Sequence, residues 1–297
     1  MLSKFEYLIA LAAEKNFGRA AERCGVAQPS FSAGIRALEE MLGVPLVLRS
    51  SRFQGFTAEG EVVLEWARRI NGDVHAMRDH VRKLQHGLTG LLRIASIPTA
   101  LGTLTELTTP FRDRHPEVRF NLMSCTSAEV LERLHNREID AGITYLDNEP
   151  IGRARSIRLY DERYRLLTSA SAGLGDRTQV TWAEVGTIPL CLLSPDMQNR
   201  RIIDRLLRNS GVVAQPALES NSIMVLMSHV QTGRWACVMP ERLAEVFGLP
   251  AGLRAIPIVE PEEIHQVGLV FSDRDPLSPL AAALLTEAAE LALKRHP

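Results

Sequence analysis

Between Phe17 and Gly60 the chain runs FGRAAERCGVAQPSFSAGIRALEEMLGVPLVLRSSRFQGFTAEG, and this stretch limits the fold more than any other. Two short amphipathic helices are expected on either side of Cys24-Gly25-Val26. The second opens at Gln28-Pro29-Ser30. Proline suits the first turn of a helix, because its missing N–H has no partner there in any case. Ile35, Leu38 and Leu42 recur at helical spacing and mark a buried side. Gln28, Ser30, Ser32 and Arg36 are left for the open side. A helix that reads DNA is built this way, with one face held by a core and the other carrying donors that reach base edges.

Pro45 to Thr57 then reads as an extended arm, a turn and a second arm, carrying Arg49 and Arg52. Such a wing can lie along phosphates or a minor groove. The whole segment resembles the winged helix-turn-helix of LysR-type transcriptional regulators. The resemblance is carried by Phe17, Arg19-Ala20-Ala21, Val26, Gln28-Pro29, Ser32, Ile35, Arg36, Leu38-Glu39, Leu42-Gly43-Val44, Leu46, Arg49, Arg52, Thr57 and Gly60. So many residue types at fixed spacing are a specific signal. The length of the chain and its downstream pattern fit the same family. The resemblance implies DNA contacts from Gln28, Pro29, Ser30, Ser32, Arg36, Arg49 and Arg52. It also exposes two departures. Relatives usually carry Ser or Thr where this chain has Ala27, so the expected helix cap is missing. They often place a long polar side chain where this chain has Ala33-Gly34, which moves base reading onto the remaining donors.

Charge does not by itself announce nucleic-acid binding, since the net charge is −1. The first 57 residues hold seven basic and five acidic side chains, a mildly basic head on a mildly acidic body. One such head would bind DNA weakly, because phosphate neutralisation supplies most non-specific affinity. Two heads on one palindromic site would make up the difference. The four cysteines are far apart and show no metal spacing, so reduced thiols are expected. No signal peptide and no membrane-length apolar run is read, which points to a cytoplasmic protein without membrane partners.

At the N-terminus, Ser3 with Glu6 three residues later predicts a capping box and a first helix from about Lys4, with Phe5, Leu8, Ile9 and Ala12 inward. From Ala58 to Leu88 one long helix is expected. Val63, Ile70, Met77 and Leu84, with Ala67, Val74, Val81 and Leu88, form an apolar heptad seam. This predicts a dimerisation helix pairing two heads, with His75, His80 and His86 at solvated positions and a hinge at Leu88-Thr89-Gly90.

Beyond Leu91 apolar strands alternate with amphipathic helices, the pattern of a parallel sheet with crossover helices. Two such lobes with a late return strand resemble the periplasmic-binding-protein-like effector domain of the same family. The expected fold class is therefore α/β, with an all-α-rich winged helix-turn-helix head, a long dimerisation helix and a two-lobed periplasmic-binding-protein-like effector domain. The expected domains are 1–57 for DNA binding, 58–88 for the linker and dimerisation helix, and 89–297 for effector binding. Within the last, lobe 1 covers about 91–146 plus 266–297 and lobe 2 about 147–265.

Ligands of open α/β sheets bind at the carboxyl ends of strands, where helix N-termini offer free N–H groups. Four such corners are read: Pro98 and Thr99, Thr126 and Ser127, Ser194, Pro195 and Met197, and Asn221 and Ser222. Thr144 joins them at the end of a strand. Each hydroxyl alone reads best as a helix cap. Their coincidence and the resemblance make the group an effector site. Arg200 or Arg201 could reach a bound anion, but a solvated helix face is the expected place for both. With no basic residue obvious at the corners, the expected effector is a small carboxylate; formate is what the chain's resemblance to family members found beside formate-oxidation genes implies. The other partners are operator DNA, further copies of the chain as homodimer or homotetramer, and RNA polymerase.

An enzyme is not expected. The acidic residues form no convincing pair, the histidines lack ligand spacing, and there is no Gly-rich phosphate loop or nucleophile elbow. No cofactor or metal is expected. The alternative within regulation is thiol-based redox sensing, because the peroxide-sensing branch of the family uses two cysteines in its second lobe. Cys191 and Cys237 are both read inside buried strands, where inert structural cysteine is commoner.

Overall fold

The computed structural model describes residues 1–49, 53–148, 150–152, 154–273 and 276–295. They form two compact units, residues 1–87 and 88–297.

The first unit contains α1 (Leu2–Glu14), α2 (Phe17–Arg23), α3 (Gln28–Leu42), β1 (Val47–Arg49), β2 (Phe53–Phe56) and α4 (Ala58–His86). The first helix starts earlier than its sequence suggests. Met1 is its N-cap, and the Met1 carbonyl accepts from the N–H groups of Lys4 and Phe5 at 3.0 and 3.2 Å. Ser3 and Glu6 therefore lie inside the helix and form no capping box. α2 is capped by Asn16, whose Oδ1 accepts from the Arg19 N–H at 3.0 Å. α3 is preceded by Ala27 in extended conformation, with no side-chain cap. It ends at Gly43, whose φ of 72° is the left-handed turn that glycine accepts without strain.

Phe31, Ile35 and Leu38 of α3 are fully buried against Phe5, Leu8, Leu11, Ala20 and Ala21. Gly34 has a packing reason: a β-carbon there would lie 2.6 Å from the Tyr7 ring, which stacks on Phe31 at 4.9 Å. Oε1 of Glu39 accepts from the N–H groups of Leu46 and Val47 at 2.9 and 3.2 Å, tying α3 to the start of β1. The hairpin β1–β2 is antiparallel, pairing Val47 with Phe56 and Arg49 with Phe53. Thr57 closes it: its hydroxyl donates to the Pro45 carbonyl at 2.7 Å and accepts from the Gly60 N–H at 2.9 Å.

α4 does two jobs along its length. Leu64 and Ala67 are buried in the core of the head, and Val63 and Ile70 pack partly against it. Three of the eight expected seam positions, Val63, Ala67 and Ile70, are among them, so that the start of the seam packs on the helix's own unit. The large apolar side chains left exposed are Val62, Trp66, Met77, Val81 and Leu84. They fall on one strip beside the packed one, because 3.6 residues per turn brings them within about a quarter turn of each other.

The second unit is built from β3 (Gly90–Ser96), a 3₁₀ turn (Pro98–Thr103), α5 (Leu104–Arg114), β4 (Val118–Ser124), α6 (Ser127–His135), β5 (Ala141–Tyr145), β6 (Arg155–Glu162), β7 (Tyr164–Ser169), β8 (Val180–Thr181), α7 (Trp182–Val185), β9 (Cys191–Leu193), α8 (Gln198–Asn209), β10 (Leu218–Ser220), α9 (Ile223–Val230), β11 (Cys237–Pro240), α10 (Glu241–Phe247), β12 (Leu253–Val259), β13 (His265–Phe271) and α11 (Pro279–Arg295). One sheet has the order β4-β3-β5-β13-β6. Its first three strands are parallel, as βαβ alternation demands, and β13 and β6 run antiparallel to their neighbours. Every residue of β5 is buried, so this strand is covered on both faces.

β6 falls in the stretch expected for the second lobe, yet it pairs with β13 along its whole length, with His265 opposite Glu162. The second sheet has the order β11-β7-β12-β8. The parallel pair β9–β10 joins it through a bridge between Leu190 and Ala236. The chain crosses between the two sheets at Arg163 and again between Val259 and His265. Glu106 of α5 reaches across as well, accepting from Arg242 of α10 and from Arg295 of α11.

Candidate functional site

In the first unit the exposed face of α3 carries Gln28, Pro29, Ser30 and Arg36, with Ser32 half-buried at its edge. The opposite face is the core side already described. Without a side-chain cap at Ala27, the first N–H groups of α3 stay free to meet an anion, and the helix dipole favours one there. Arg19 and Arg23 are less available to DNA, because both pair with Glu14, at 3.7 and 3.0 Å. Arg49 is the last residue of β1. Arg52 lies outside the described residues.

In the second unit a small cleft opens where the strands of both sheets present their carboxyl ends. β3 contributes Ile97, Pro98 and Thr99 just past its end, α6 contributes Ser127, and β5 contributes Tyr145. Leu193 ends β9, and Met197, Gln198 and Asn199 form the entry to α8. The hydroxyl of Thr99 and both polar atoms of the Asn199 side chain are buried and find no hydrogen-bond partner among the described residues. Buried polar groups in this state are costly unless something answers them. Among the described residues no Lys, Arg or His lines the cleft.

Beneath it, the Tyr145 hydroxyl donates to Oε1 of Glu162 at 2.5 Å. Glu162 is fully buried, and burial pushes its carboxyl up to about 7, against the opposing effect of the Tyr145 and Tyr164 hydroxyls. Burial and the neighbouring Glu162 likewise hold the Tyr145 phenol well above its ordinary value.

The sequence over residues 85–292 matches the family model of the LysR substrate binding domain, and residues 2–61 match that of the bacterial regulatory helix-turn-helix protein, lysR family. The chain belongs to the LysR family. It is a DNA-binding transcriptional regulator with an effector-binding domain.

Among LysR-family relatives it is similar to the HTH-type transcriptional regulator IlvR of Caulobacter vibrioides, 30% identical over 300 residues, covering 97% of each chain. It is 27% identical over 285 residues to the hydrogen peroxide-inducible genes activator of Haemophilus influenzae, covering 92% of this chain and 90% of the relative. Its fold is that of full-length LysR-family structures. A cysteine-to-aspartate variant of OxyR from Pseudomonas aeruginosa superposes with a TM-score of 0.75 at 22% identity, covering 99% of this chain and 98% of that one. CbnR in complex with its target DNA gives 0.66 at 22% identity, covering 98% and 100%.

Of the effector residues read from sequence, Pro98, Thr99, Ser127 and Met197 line the cleft together. Thr144 lies behind it, its hydroxyl paired with that of Ser127. Thr126 serves as a cap: it forms a full capping box with Glu129 at the start of α6. The Ser194 hydroxyl is buried without a partner among the described residues, but Ser194, Pro195, Asn221 and Ser222 are not in the lining.

Tyr145, Gln198, Asn199 and Glu162 were not legible as site residues. Arg200 departs from its expected solvated position. It is 5% exposed and donates to the Leu193 carbonyl, Glu219 and Asp204 at 2.9, 2.7 and 2.7 Å. Arg201 grips Oε1 of Gln198 at 2.7 Å and so sets one wall of the cleft. Cys191 and Cys237, both fully buried, face each other. The hydrogen bond to Cys191 and burial hold the Cys237 thiol well above its ordinary value, while the same contact lowers that of Cys191. Among the described residues no helix is long and apolar enough to cross a membrane.

Proposed function

We propose that this regulator reads its operator with α3 and is controlled by a small carboxylate, of the size of formate, held in the cleft between the two sheets. Gln28, Ser30, Ser32 and Arg36 approach base edges from α3, with Pro29 fixing the first turn. Arg49 and Arg52 lie along the backbone as a wing. Two chains pair through the exposed strip of α4, which includes Trp66, Met77 and Leu84. Pairing places two weakly basic heads on one site, and tetramers would place four. The protein works in the cytoplasm beside RNA polymerase.

The observation that carries the effector reading is the set of unanswered polar atoms on Thr99 and Asn199 in a cleft whose enclosed part is only about 10 Å³. A ligand that fits such a space is small, and these groups give it hydrogen bonds without a counter-charge. Binding then shifts the population of lobe geometries, and with it the spacing of the heads and the bend in the DNA. A thermal-shift screen of the full chain against formate, acetate and larger aromatic acids tests the reading. Stabilisation by the small anions supports it, and tight binding of large apolar aromatics alone would sink it.

A second reading, thiol-based redox sensing, has one observation in its favour, the pairing of Cys191 with Cys237. The relatives named for hydrogen peroxide lend it weight. The complete burial of both thiols weighs against it, because reactive cysteines sit where an oxidant can reach them.

A further inference from the structure

Taking the cleft as the effector site, we propose that Glu162 is its proton-holding member: a small carboxylate enters together with one proton, which resides on the Glu162 carboxyl. Tyr145 is the link. Its ring lines the cleft, and its hydroxyl is already committed to Oε1 of Glu162 at 2.5 Å. An anion at Thr99 and Asn199 therefore sits one tyrosine side chain away from a buried carboxyl.

Among the described groups that face Glu162, no arginine or lysine pairs with it. From its own strand comes Tyr160, whose ring is flanked by Arg242 and Arg295 at 6.0 and 5.7 Å, and both arginines are bound to Glu106. Past the end of β5 stands Asp147, which adds negative charge. From β7 comes Tyr164, and next in sequence Arg163 is paired with Glu262 at 3.2 Å. From β13 comes His265, edge-on to the Tyr145 ring, with Nδ1 near Asp147 and Asn148 and Nε2 near Glu263. α8 supplies Asn199, which is neutral. The Tyr164 hydroxyl also faces the carboxyl, and Oε2 of Glu162 makes no hydrogen bond of ordinary geometry among the described residues, which leaves Oε2 as the oxygen to carry the proton.

Two negative charges separated by one side chain in a dry interior repel strongly. Burial, with Asp147 adding to it and the Tyr145 and Tyr164 hydroxyls opposing it, already pushes the carboxyl up to about 7, so near neutral pH the site is half loaded with its proton. An anion arriving in the cleft strengthens proton binding, and by reciprocity the proton strengthens anion binding. Above about pH 7 the proton must come from solvent, and affinity falls about tenfold per pH unit. The regulator would thus answer to the carboxylate and to acidity through one site.

Calorimetric titration of the full chain with sodium formate and sodium acetate, in phosphate and in Tris buffer, tests this. The expected result is a buffer-dependent heat that corresponds to uptake of up to one proton per anion, with affinity weakening steadily above neutrality. Glu162→Gln removes both the buffer dependence and the pH dependence. Tyr145→Phe, which keeps the carboxyl but removes a bond that favours its ionised form, moves the midpoint to higher pH. Should Glu162→Gln fail to fold, the wild-type heats in two buffers and the Tyr145→Phe midpoint still decide. Binding with buffer-independent heats and an affinity flat across neutral pH overturns the proton linkage and leaves the cleft as the effector site. Binding of neither anion at any pH overturns the small-carboxylate reading itself, and the proton linkage with it. In the free protein, an infrared band of a protonated carboxyl that vanishes through neutrality and is missing from Glu162→Gln is the matching signature. A Glu162 ionised throughout overturns the linkage.

Discussion

A β-carbon on Gly60 would lie 2.0 Å from the carbonyl oxygen of Leu46. That oxygen also accepts the Thr57 N–H at 3.0 Å, so it cannot move aside without opening the junction between hairpin and α4. Gly60→Ala is expected to destabilise the first unit by about 2 kcal/mol, within the usual cost of overpacking. Chemical denaturation followed through head-specific signals measures it. An unchanged midpoint would mean that the junction yields easily.

Ala27→Ser should act in the opposite direction. The residue already has the extended backbone of an N-cap and lacks only the oxygen. A serine there is expected to add about 1 kcal/mol of stability, read as a rise in melting temperature. No rise, or a fall, would show that the first turn of α3 cannot accept the bond.

For DNA binding, Arg52→Ala and Gln28→Ala should differ in kind. The first is expected to weaken binding on all sequences and to flatten the salt dependence. The second is expected to relax sequence preference. Gel-shift titrations on operator and scrambled DNA at several salt concentrations separate the two. Identical behaviour would remove the division between wing and reading helix.

Glu162 also makes a statement about stability. Its carboxyl is held near 7 in the folded chain against 4.5 when unfolded. Below about pH 4.5 both states are protonated and there is no penalty. Between about 4.5 and 7 the folded state holds a proton that the unfolded state has lost, so stability falls as pH rises. Above 7 the penalty is complete, with an upper limit of about 3 kcal/mol. Glu162→Gln should therefore gain on wild type from pH 5 to pH 8, measured as the difference between their unfolding free energies. A constant difference would place the Glu162 proton elsewhere.

Replacing both Cys191 and Cys237 by serine is expected to leave the response to carboxylate intact. Reporter expression under peroxide and under carboxylate checks this. A wild-type peroxide response lost in the double variant would favour redox sensing.

What could be read in advance was local. The buried side of α3, the hairpin and the strand–helix alternation are written in residues a few positions apart. Ala27 showed its missing cap for the same reason. At the start of the α4 seam Val63 and Ile70 obey two periodicities at once, and only the packed head shows that they also belong to its core. Ser3 and Glu6 had the spacing of a capping box, but the Met1 carbonyl had already started the helix. The corner residues divide by where the fold places them. Thr99 and Ser127 face the cleft, whereas Thr126 took the capping role that its position near a helix start equally allows. Glu162 had no local signal. Its burial comes from the meeting of β5, β6, β7 and β13, which no short window contains.

The sharing of α4 between core and surface has a mechanical side. Leu64 and Ala67 anchor the helix inside the head, so the two cannot turn independently. A twist applied farther along the helix, near Met77 or Val81, would carry Gln28 and Arg36 round with it like the bit on a key shaft. A few degrees of rotation about the helix axis would then become a displacement of the reading face, and the regulator could change its grip on DNA without any residue of the head altering its own contacts.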